Sequence, residues 1–239
     1  MKPLERLGEA RTPNGTVIAL FRHDRAYLIK ADGVELMSTR RHLSEDMLAQ
    51  VACAPISARP KARVLIGGLG LGFTLRAALH ELRADAEVVV AEFLSEVIEW
   101  NANPEYNLSV DSMRDARVKI VHDDVVNVLR DNPDGFDAIM LDTDNGPDGL
   151  LMSENARLYA LRGIATTVAA LREGGVIAYW SVGEDTKFID LLRRSALRVQ
   201  AVIARAHDTA GPMHTIYVAT RRVADPDATR PSSRREKRR

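Results

Sequence analysis

Along most of the chain, short apolar runs alternate with amphipathic segments. Runs that suit buried strands cover residues 63–67, 87–92, 117–121, 136–142 and 174–181. Segments whose apolar residues recur at helical spacing lie between them, at about residues 73–83, 94–102, 124–131 and 153–172. Strand–helix alternation is typical of a parallel sheet with crossover helices. The pattern therefore predicts an α/β fold built on a mostly parallel, twisted sheet.

The end of this pattern differs from its middle. A predicted helix near residues 186–195 is followed by two strand-like runs, Arg198–Arg205 and His214–Thr220, with Gly211 and Pro212 between them. This spacing predicts a C-terminal antiparallel hairpin that closes the sheet. A dinucleotide-binding fold would continue in parallel, so the ending favours the fold of S-adenosylmethionine-dependent methyltransferases.

The segment before the sheet is organised differently. Three short strand-like runs cover Thr16–Phe21, Ala26–Lys30 and Val34–Ser38. Asp32-Gly33 is a strong hairpin signal between the last two runs. The polar residues 1–14 predict an irregular lead-in, so the chain is expected to begin with a small antiparallel β subdomain.

A helix is predicted between this subdomain and the main sheet, over residues 44–54 with Ser44 as its N-cap. We therefore expect a β-hairpin subdomain with its linking helix over residues 1–60, and the main α/β domain over residues 61–222. The open edges of an antiparallel subdomain favour self-association, so a homodimer or higher homo-oligomer is expected.

Composition limits the class of protein. The 239 residues are 46% hydrophobic and 28% charged, with a formal net charge of zero that favours neither nucleic acid nor an anionic membrane. Residues 223–239 hold six basic and three acidic side chains and are expected to form a disordered basic tail. Cys53 is the only cysteine, which excludes an internal disulfide. The sequence lacks a signal-peptide pattern and an apolar run of membrane-spanning length, so a soluble cytoplasmic protein is expected.

The most informative stretch is Val64-Leu65-Ile66 followed by Gly67, Gly68, Gly70 and Gly72. Glycine permits positive φ and a close ligand, and the helix that follows points unpaired N–H groups at the same place. The spacing G-x-G-x-G departs from the dinucleotide fingerprint G-x-G-x-x-G. It is typical of enzymes that bind S-adenosylmethionine, so residues 61–222 are expected to form a nucleoside-binding catalytic domain. A tight turn without a ligand is the alternative.

Carboxylates stand at the ends of the next two strands, where ligands of open parallel sheets bind. Glu92 ends the second strand and can accept hydrogen bonds from both ribose hydroxyls of an adenosine, the alternative being a solvated strand end. Asp123 and Asp124 follow the third strand. We expect one of them to accept a hydrogen bond from the adenine amine and the other to cap the next helix.

The fourth strand ends at Asp142, and the loop after it carries Asp144, Gly146, Pro147 and Asp148. Like charges held close raise one another's pKa, which suits a proton acceptor. We interpret Asp142 as a general base and Asp144 as its electrostatic neighbour. A flexible acidic surface loop is the alternative.

Two residues are weaker candidates for a substrate pocket. Tyr159 follows the acidic loop and could wall such a pocket, although core packing is the safer interpretation. His214 flanks the last hairpin loop, above the sheet. The sequence has no His, Cys and carboxylate spacing typical of a metal site and no nucleophile elbow, so no metal is expected.

The chain resembles the spermidine synthase (polyamine aminopropyltransferase) family over about residues 31–219. Asp32-Gly33 matches the family's DG hairpin, and the glycine loop matches its GGGDGG motif. The resemblance implies that Glu92 holds the ribose, that Asp124 meets the adenine, and that Asp142 is the base toward an attacking amine.

Departures from the family's pattern concentrate in the half that would hold the amine. Gly70 stands where GGGDGG has its Asp. In the loop after Asp142, which the family uses as a gate over its site, Asp144 comes one residue earlier than the family's second Asp. The family's Gln and Tyr-His pair have no clear match between Leu36 and Met47. The resemblance implies a transferase that moves an aminopropyl group to a small-molecule amine. Its donor would be S-adenosylmethionine or the decarboxylated form. A small-molecule methyltransferase and a non-catalytic nucleoside-binding protein are the alternatives.

Overall fold

An N-terminal sheet of four antiparallel strands opens the fold. In this computed structural model, which describes residues 3–143, 156–195, 197–207 and 211–221, the strands run in sequence order. They are β1 (Glu5–Arg11), β2 (Val17–His23), β3 (Ala26–Ala31) and β4 (Val34–Ser38).

The second sheet has seven strands. They are β5 (Arg63–Gly67), β6 (Glu87–Glu92), β7 (Val118–His122), β8 (Phe136–Leu141), β9 (Leu171–Ser181), β10 (Leu197–Arg205) and β11 (Met213–Arg221). Their order is β10-β11-β9-β8-β5-β6-β7. The strands from β5 to β9 pair in parallel, whereas β11 pairs antiparallel with both β9 and β10. The α/β class, the mostly parallel sheet and the C-terminal antiparallel hairpin are confirmed.

Eight α-helices occur in the described part of the chain. They are α1 (Leu43–Cys53), α2 (Phe73–Glu81), α3 (Ser95–Ala102), α4 (Val110–Met113), α5 (Val125–Arg130), α6 (Ala156–Tyr159), α7 (Leu161–Ala170) and α8 (Thr186–Arg194). None of the described helices is long and apolar enough to span a bilayer.

Both faces of the large sheet are covered, as its continuous apolar strands require. Successive residues of β5 point to opposite sides: Val64 and Ile66 pack with α1, α2, α3 and the N-terminal sheet. Leu65 packs on the other side, with α5, α6, α7 and α8. Because β5, β6, β7 and β8 run in parallel, their carboxyl ends meet at one edge, and α1 and the N-terminal sheet stand beside that edge.

The prediction that residues 1–14 form an irregular lead-in is wrong, because Glu5–Arg11 is strand β1. This edge strand has mostly exposed or half-buried side chains, so it lacks the apolar run that marks an inner strand. Its Gly8 lies so close to the indole of Trp100 on α3 that a Cβ would come within 2.5 Å of the ring nitrogen. This contact joins the N-terminal sheet to the main α/β unit.

Two helix predictions also need correction. Helix α1 begins at Leu43, so Ser44 lies inside the helix and does not cap it. The single helix predicted over residues 153–172 is divided in its described part, because Ala160 is extended between α6 and α7. The chain folds back there so tightly that a Cβ at Gly163 would come within 2.1 Å of the Arg157 carbonyl oxygen.

A buried ion cluster fixes the opposite edge of the sheet. Asp137 on β8 has a side chain that is 2% exposed, and it pairs with Arg59 at 2.6 Å and Arg172 at 2.8 Å. Its carboxylate also accepts a hydrogen bond from the backbone N–H of Arg63 at 2.7 Å. These contacts hold β5, β8 and β9 together at the end remote from the candidate site.

Candidate active site

A cavity of about 390 Å³ opens at the carboxyl ends of β5, β6, β7 and β8. One end is formed by residues of the glycine loop and of the turns after β6 and β7, including Gly68, Glu92, Asp123 and Asp124. The other end lies against α1 and the N-terminal sheet and includes Ile18, Ile29, Leu36, Met37, Glu45 and Trp180. Asp142 lines the same cavity. The strand-end carboxylates singled out in the sequence therefore meet in one place.

The glycine loop after β5 needs its glycines for conformation and for packing. Gly68, Gly70 and Gly72 have φ of +89°, +52° and +80°, which side-chain-bearing residues rarely adopt. A Cβ at Gly68 would lie 2.7 Å from the carbonyl oxygen of Asp142. A Cβ at Gly67, the last residue of β5, would lie 2.8 Å from the side chain of Leu141. The loop is therefore pressed against the end of β8, and α2 begins directly after it.

Glu92, at the end of β6, holds the glycine loop in place. Its Oε2 accepts a hydrogen bond from the backbone N–H of Leu69 at 2.9 Å, and its Oε1 accepts one from Leu94 at 2.8 Å. The side chain is nearly buried, and this burial raises the pKa of Glu92. Each carboxylate oxygen has a further lone pair, so Glu92 can still accept hydrogen bonds from a diol in the cavity.

The two aspartates after β7 have different local partners. Asp124 is the N-cap of α5, because its Oδ1 accepts a hydrogen bond from the Val126 N–H at 2.8 Å. Oδ1 of Asp123 accepts hydrogen bonds from the Asn127 amide at 2.8 Å and the Asp124 N–H at 2.7 Å. The bond from Asn127 is the main reason that the pKa of Asp123 is lowered. Both side chains line the cavity, so capping does not remove Asp124 from it.

Asp142 follows β8 and lies between the glycine loop and α2. Its Oδ2 accepts a hydrogen bond from the Thr74 hydroxyl at 3.0 Å, and its backbone N–H donates to the Gly67 carbonyl at 3.0 Å. Burial raises the pKa of Asp142 to about 6. A carboxylate with that pKa is a better proton acceptor than an exposed one, which is the property expected of a general base.

Glu45 is a site residue that the sequence analysis missed. It lies on α1, is 7% exposed and lines the cavity. Burial, and secondarily the charge of Asp142, raise the pKa of Glu45 to about 7. The signal that could have found it is its position three residues before Leu48 and four before Ala49, both fully buried. That spacing places an acidic residue on the apolar face of the helix.

His214 reaches this end of the site through Ser44. The Ser44 hydroxyl donates to the Glu45 carboxylate, and Nδ1 of His214 lies 2.9 Å from the same hydroxyl oxygen. The imidazole packs edge-on against Trp180 with ring centroids 4.5 Å apart. Burial lowers the pKa of His214, which favours a neutral ring. The structure thus places His214 behind the cavity wall, as a partner of Ser44.

Comparison with known proteins identifies the family. The sequence model described as "Spermine/spermidine synthase domain" matches residues 41–197. The chain belongs to this family. Its members are aminopropyltransferases, so this spermidine synthase-like protein is a transferase enzyme. No curated protein sequence matches the chain.

Solved structures of the family share the fold. Spermidine synthase from Thermotoga maritima superposes with a TM-score of 0.71 at 20% identity, over 92% of this chain and 73% of that one. A spermidine synthase in complex with the transition state analogue AdoDATO gives 0.69 at 20% identity, with the same coverage. A probable spermidine synthase from Corynebacterium glutamicum ATCC 13032 gives 0.61 at 18% identity, over 92% of this chain and 81% of that one.

Two of the residues predicted for the site of this spermidine synthase-like protein are not found in its cavity: Tyr159 lies elsewhere, and Asp144 lies outside the described residues. Tyr159 packs with Tyr179 and Phe188 at centroid distances of 5.9 and 5.3 Å, in the core on the α5–α8 side of the sheet. Asp144 lies outside the described residues, as does the Gly-Pro turn after it. Among the residues that are described, no three His, Cys, Asp or Glu side chains cluster as metal ligands would.

Proposed function

We propose that this protein transfers the aminopropyl group of decarboxylated S-adenosylmethionine to a primary amine, with Asp142 as the general base. The observation that carries this proposal is a buried carboxylate with a raised pKa, placed between a glycine loop and an acid-bearing apolar pocket. Nucleoside and amine would then meet at Asp142.

The proposed donor lies along the β5–β7 end of the cavity. The carboxylate of Glu92 would accept hydrogen bonds from the ribose hydroxyls, and Asp123 or Asp124 would accept one from the adenine amine. The backbone of Gly68 and Gly70, which lines the cavity, would lie beside the sulfonium end of the donor. Substituents at either glycine would strain a backbone with positive φ.

The proposed reaction is a displacement at carbon. The acceptor enters as an ammonium ion and transfers one proton to Asp142, which leaves a neutral amine with a free lone pair. That lone pair forms a bond to the carbon next to the sulfonium, the carbon–sulfur bond breaks, and its electron pair passes to sulfur. Methylthioadenosine leaves as a neutral thioether. Such a reaction depends on in-line positioning and one proton acceptor.

The charge of the pocket supports the decarboxylated donor over S-adenosylmethionine itself. The described residues at the α1 end include the acids Glu45 and Asp142 beside apolar side chains. Arg157, a cation on the cavity wall, lies at the other end, 3.5 Å from Asp124. A donor carboxylate at the α1 end would be repelled, whereas an ammonium group would be attracted.

Calorimetric titration with three nucleosides tests this proposal. We expect methylthioadenosine and decarboxylated S-adenosylmethionine to bind, and S-adenosylmethionine to bind at least about tenfold more weakly, equivalent to about 1.4 kcal/mol. Tighter binding of S-adenosylmethionine would instead favour methyl transfer. Failure of all three to bind would refute the proposed role of the glycine loop.

A further inference from the structure

Glu45 has no part in the reaction as proposed so far, yet it is a buried acid facing the reacting end of the cavity. In the described part of the chain, no Lys or Arg lies within ion-pair distance of Glu45 or Asp142. Among the described side chains, only that of Ser44 donates a hydrogen bond to Glu45. Two acids are therefore buried together without a counter-cation from the described residues, an arrangement that a protein core disfavours.

The neighbourhood of this acid pair is suited to a ligand. Trp180, on the same wall, is 7% exposed, and its indole N–H is buried without a hydrogen-bond partner among the described residues. A hydrogen-bond acceptor on an occupant, such as the lone pair of a neutral amine, would satisfy that N–H, and the aromatic ring favours a nearby cation. The orphaned indole indicates a polar occupant, and the uncompensated acids independently indicate a positively charged one.

The glycine loop provides no second carboxylate beside Asp142, because Gly70 has no side chain. The thioether of Met37 covers Gly70, where an added Cβ would come within 2.8 Å of its methyl carbon. The side chain at position 37 thus fills the space above the loop with an apolar group. In this chain the second carboxylate comes from the opposite wall, from α1.

We propose that Glu45 is a substrate-binding residue that, together with Asp142, holds a primary alkylammonium group. This inference rests on the proposed function and names the charged part of its substrates. Two ammonium groups qualify: the aminopropyl end of the donor and the amine of the acceptor. Ile18, Ile29 and Leu36 line the adjoining wall, so the methylene chain that carries the ammonium lies against apolar surface.

A bound ammonium group and a proton-accepting carboxylate can both occupy this part of the cavity. Without substrate, the two carboxylates retain a proton between them, because two like charges close together ionise one after the other. A bound ammonium replaces that proton as the positive charge of the pair. Asp142 is then ionised and ready to accept the proton of the attacking amine.

The test compares Glu45→Gln with Glu81→Gln, a matched control on α2 that lies outside the cavity lining. Glutamine keeps the size of glutamate and one acceptor oxygen for the Ser44 hydroxyl but removes the charge. Methylthioadenosine affinity, which involves no ammonium, is measured first on each variant. We expect it to stay within about twofold of the wild type, which also shows that the fold is intact.

Two further measurements, donor affinity and the KM for the amine, show which substrate carries the ammonium group that Glu45 binds. If the group belongs to the donor, Glu45→Gln weakens the binding of decarboxylated S-adenosylmethionine at least about tenfold. If it belongs to the acceptor, the KM for the amine rises by that factor while donor affinity is kept, and Glu45→Asp restores part of the loss. Either result supports the inference.

Unchanged donor affinity and unchanged amine KM in Glu45→Gln would overturn the inference while leaving the proposed function intact. A wild-type protein that neither binds methylthioadenosine nor transfers an aminopropyl group would overturn both. The Glu81→Gln variant is expected to match the wild type in every arm.

Discussion

Replacing Glu45 by glutamine should make the protein more stable at alkaline pH. The pKa of Glu45 rises from the ordinary 4.5 to about 7, chiefly through burial. The titratable groups around it are Asp142 directly after β8, Asp46 on its own helix and, beyond Ser44, His214 on β11. Because a tenfold change in proton affinity corresponds to about 1.4 kcal/mol, this rise means that the ionised form of Glu45 opposes folding by about 3 kcal/mol.

The direction in which stability changes with pH depends on whether the folded or the unfolded chain binds the proton more tightly. Between about pH 4.5 and 7, the folded chain keeps a proton on Glu45 that the unfolded chain has released. The contribution of this residue to stability therefore falls as pH rises through that window and is constant above it. Glutamine does not ionise. The Glu45→Gln variant should exceed the wild type in stability by less than about 1 kcal/mol at pH 5 and by up to about 3 kcal/mol at pH 8.

Urea unfolding followed by circular dichroism, at half-unit steps from pH 5 to pH 8, measures this difference. The control variant Glu81→Gln should stay within about 0.5 kcal/mol of the wild type throughout. If Glu45→Gln and the wild type differ in free energy of unfolding by the same amount at pH 5 and pH 8, Glu45 is not a buried carboxylate without a counter-charge. A variant that is less stable than the wild type at pH 8 would lead to the same conclusion.

Four other outcomes are expected. Asp142→Asn should lower kcat by about 10²–10⁴-fold in a steady-state assay and leave methylthioadenosine affinity unchanged; an unaltered kcat would remove Asp142 as the base. In the wild type, kcat/KM should rise with pH through about 6 to 7 as Asp142 and Glu45 lose their protons, and a flat profile would contradict their burial. Gly72→Ala should destabilise by roughly 1–3 kcal/mol in thermal unfolding, because its Cβ would meet Ser109 at 2.3 Å in a left-handed backbone. Asp137→Ala should lower the free energy of unfolding in urea by about 1.5–3 kcal/mol, since the half-exposed Arg59 and Arg172 lose a buried charged acceptor, while nucleoside affinity is kept.

The sequence was sufficient for the main sheet because its inner strands have an unambiguous pattern. A strand buried on both faces, such as β5 or β8, has a continuous apolar run, here Val64–Ile66 and Ala138–Leu141. The edge strand β1 has no such requirement. Its position depends on the close approach of Gly8 to Trp100, a contact between distant parts of the chain that no local pattern encodes.

The candidate site also contains residues that a local sequence pattern predicts and one that it does not. Glu92 and Asp142 were found because each directly follows an apolar strand, and parallel strands bring their ends together. Glu45 was missed because an acid in the first turn of a helix is ordinary, and its burial arises only from the packing of α1 against the sheet. For Asp124, the two predicted roles of helix cap and cavity residue are compatible, since capping uses Oδ1 and the side chain still lines the cavity.

The most direct test of the proposed function is product analysis by mass spectrometry. Wild-type protein and Asp142→Asn would each be incubated with decarboxylated S-adenosylmethionine and a set of amines that includes 1,4-diaminobutane, the amine left when spermidine loses an aminopropyl group. We predict that the wild type forms methylthioadenosine together with an equal amount of an amine enlarged by one aminopropyl group, and that the variant forms almost none. No product with any amine, or methylated amines in a parallel incubation with S-adenosylmethionine, would contradict the proposal.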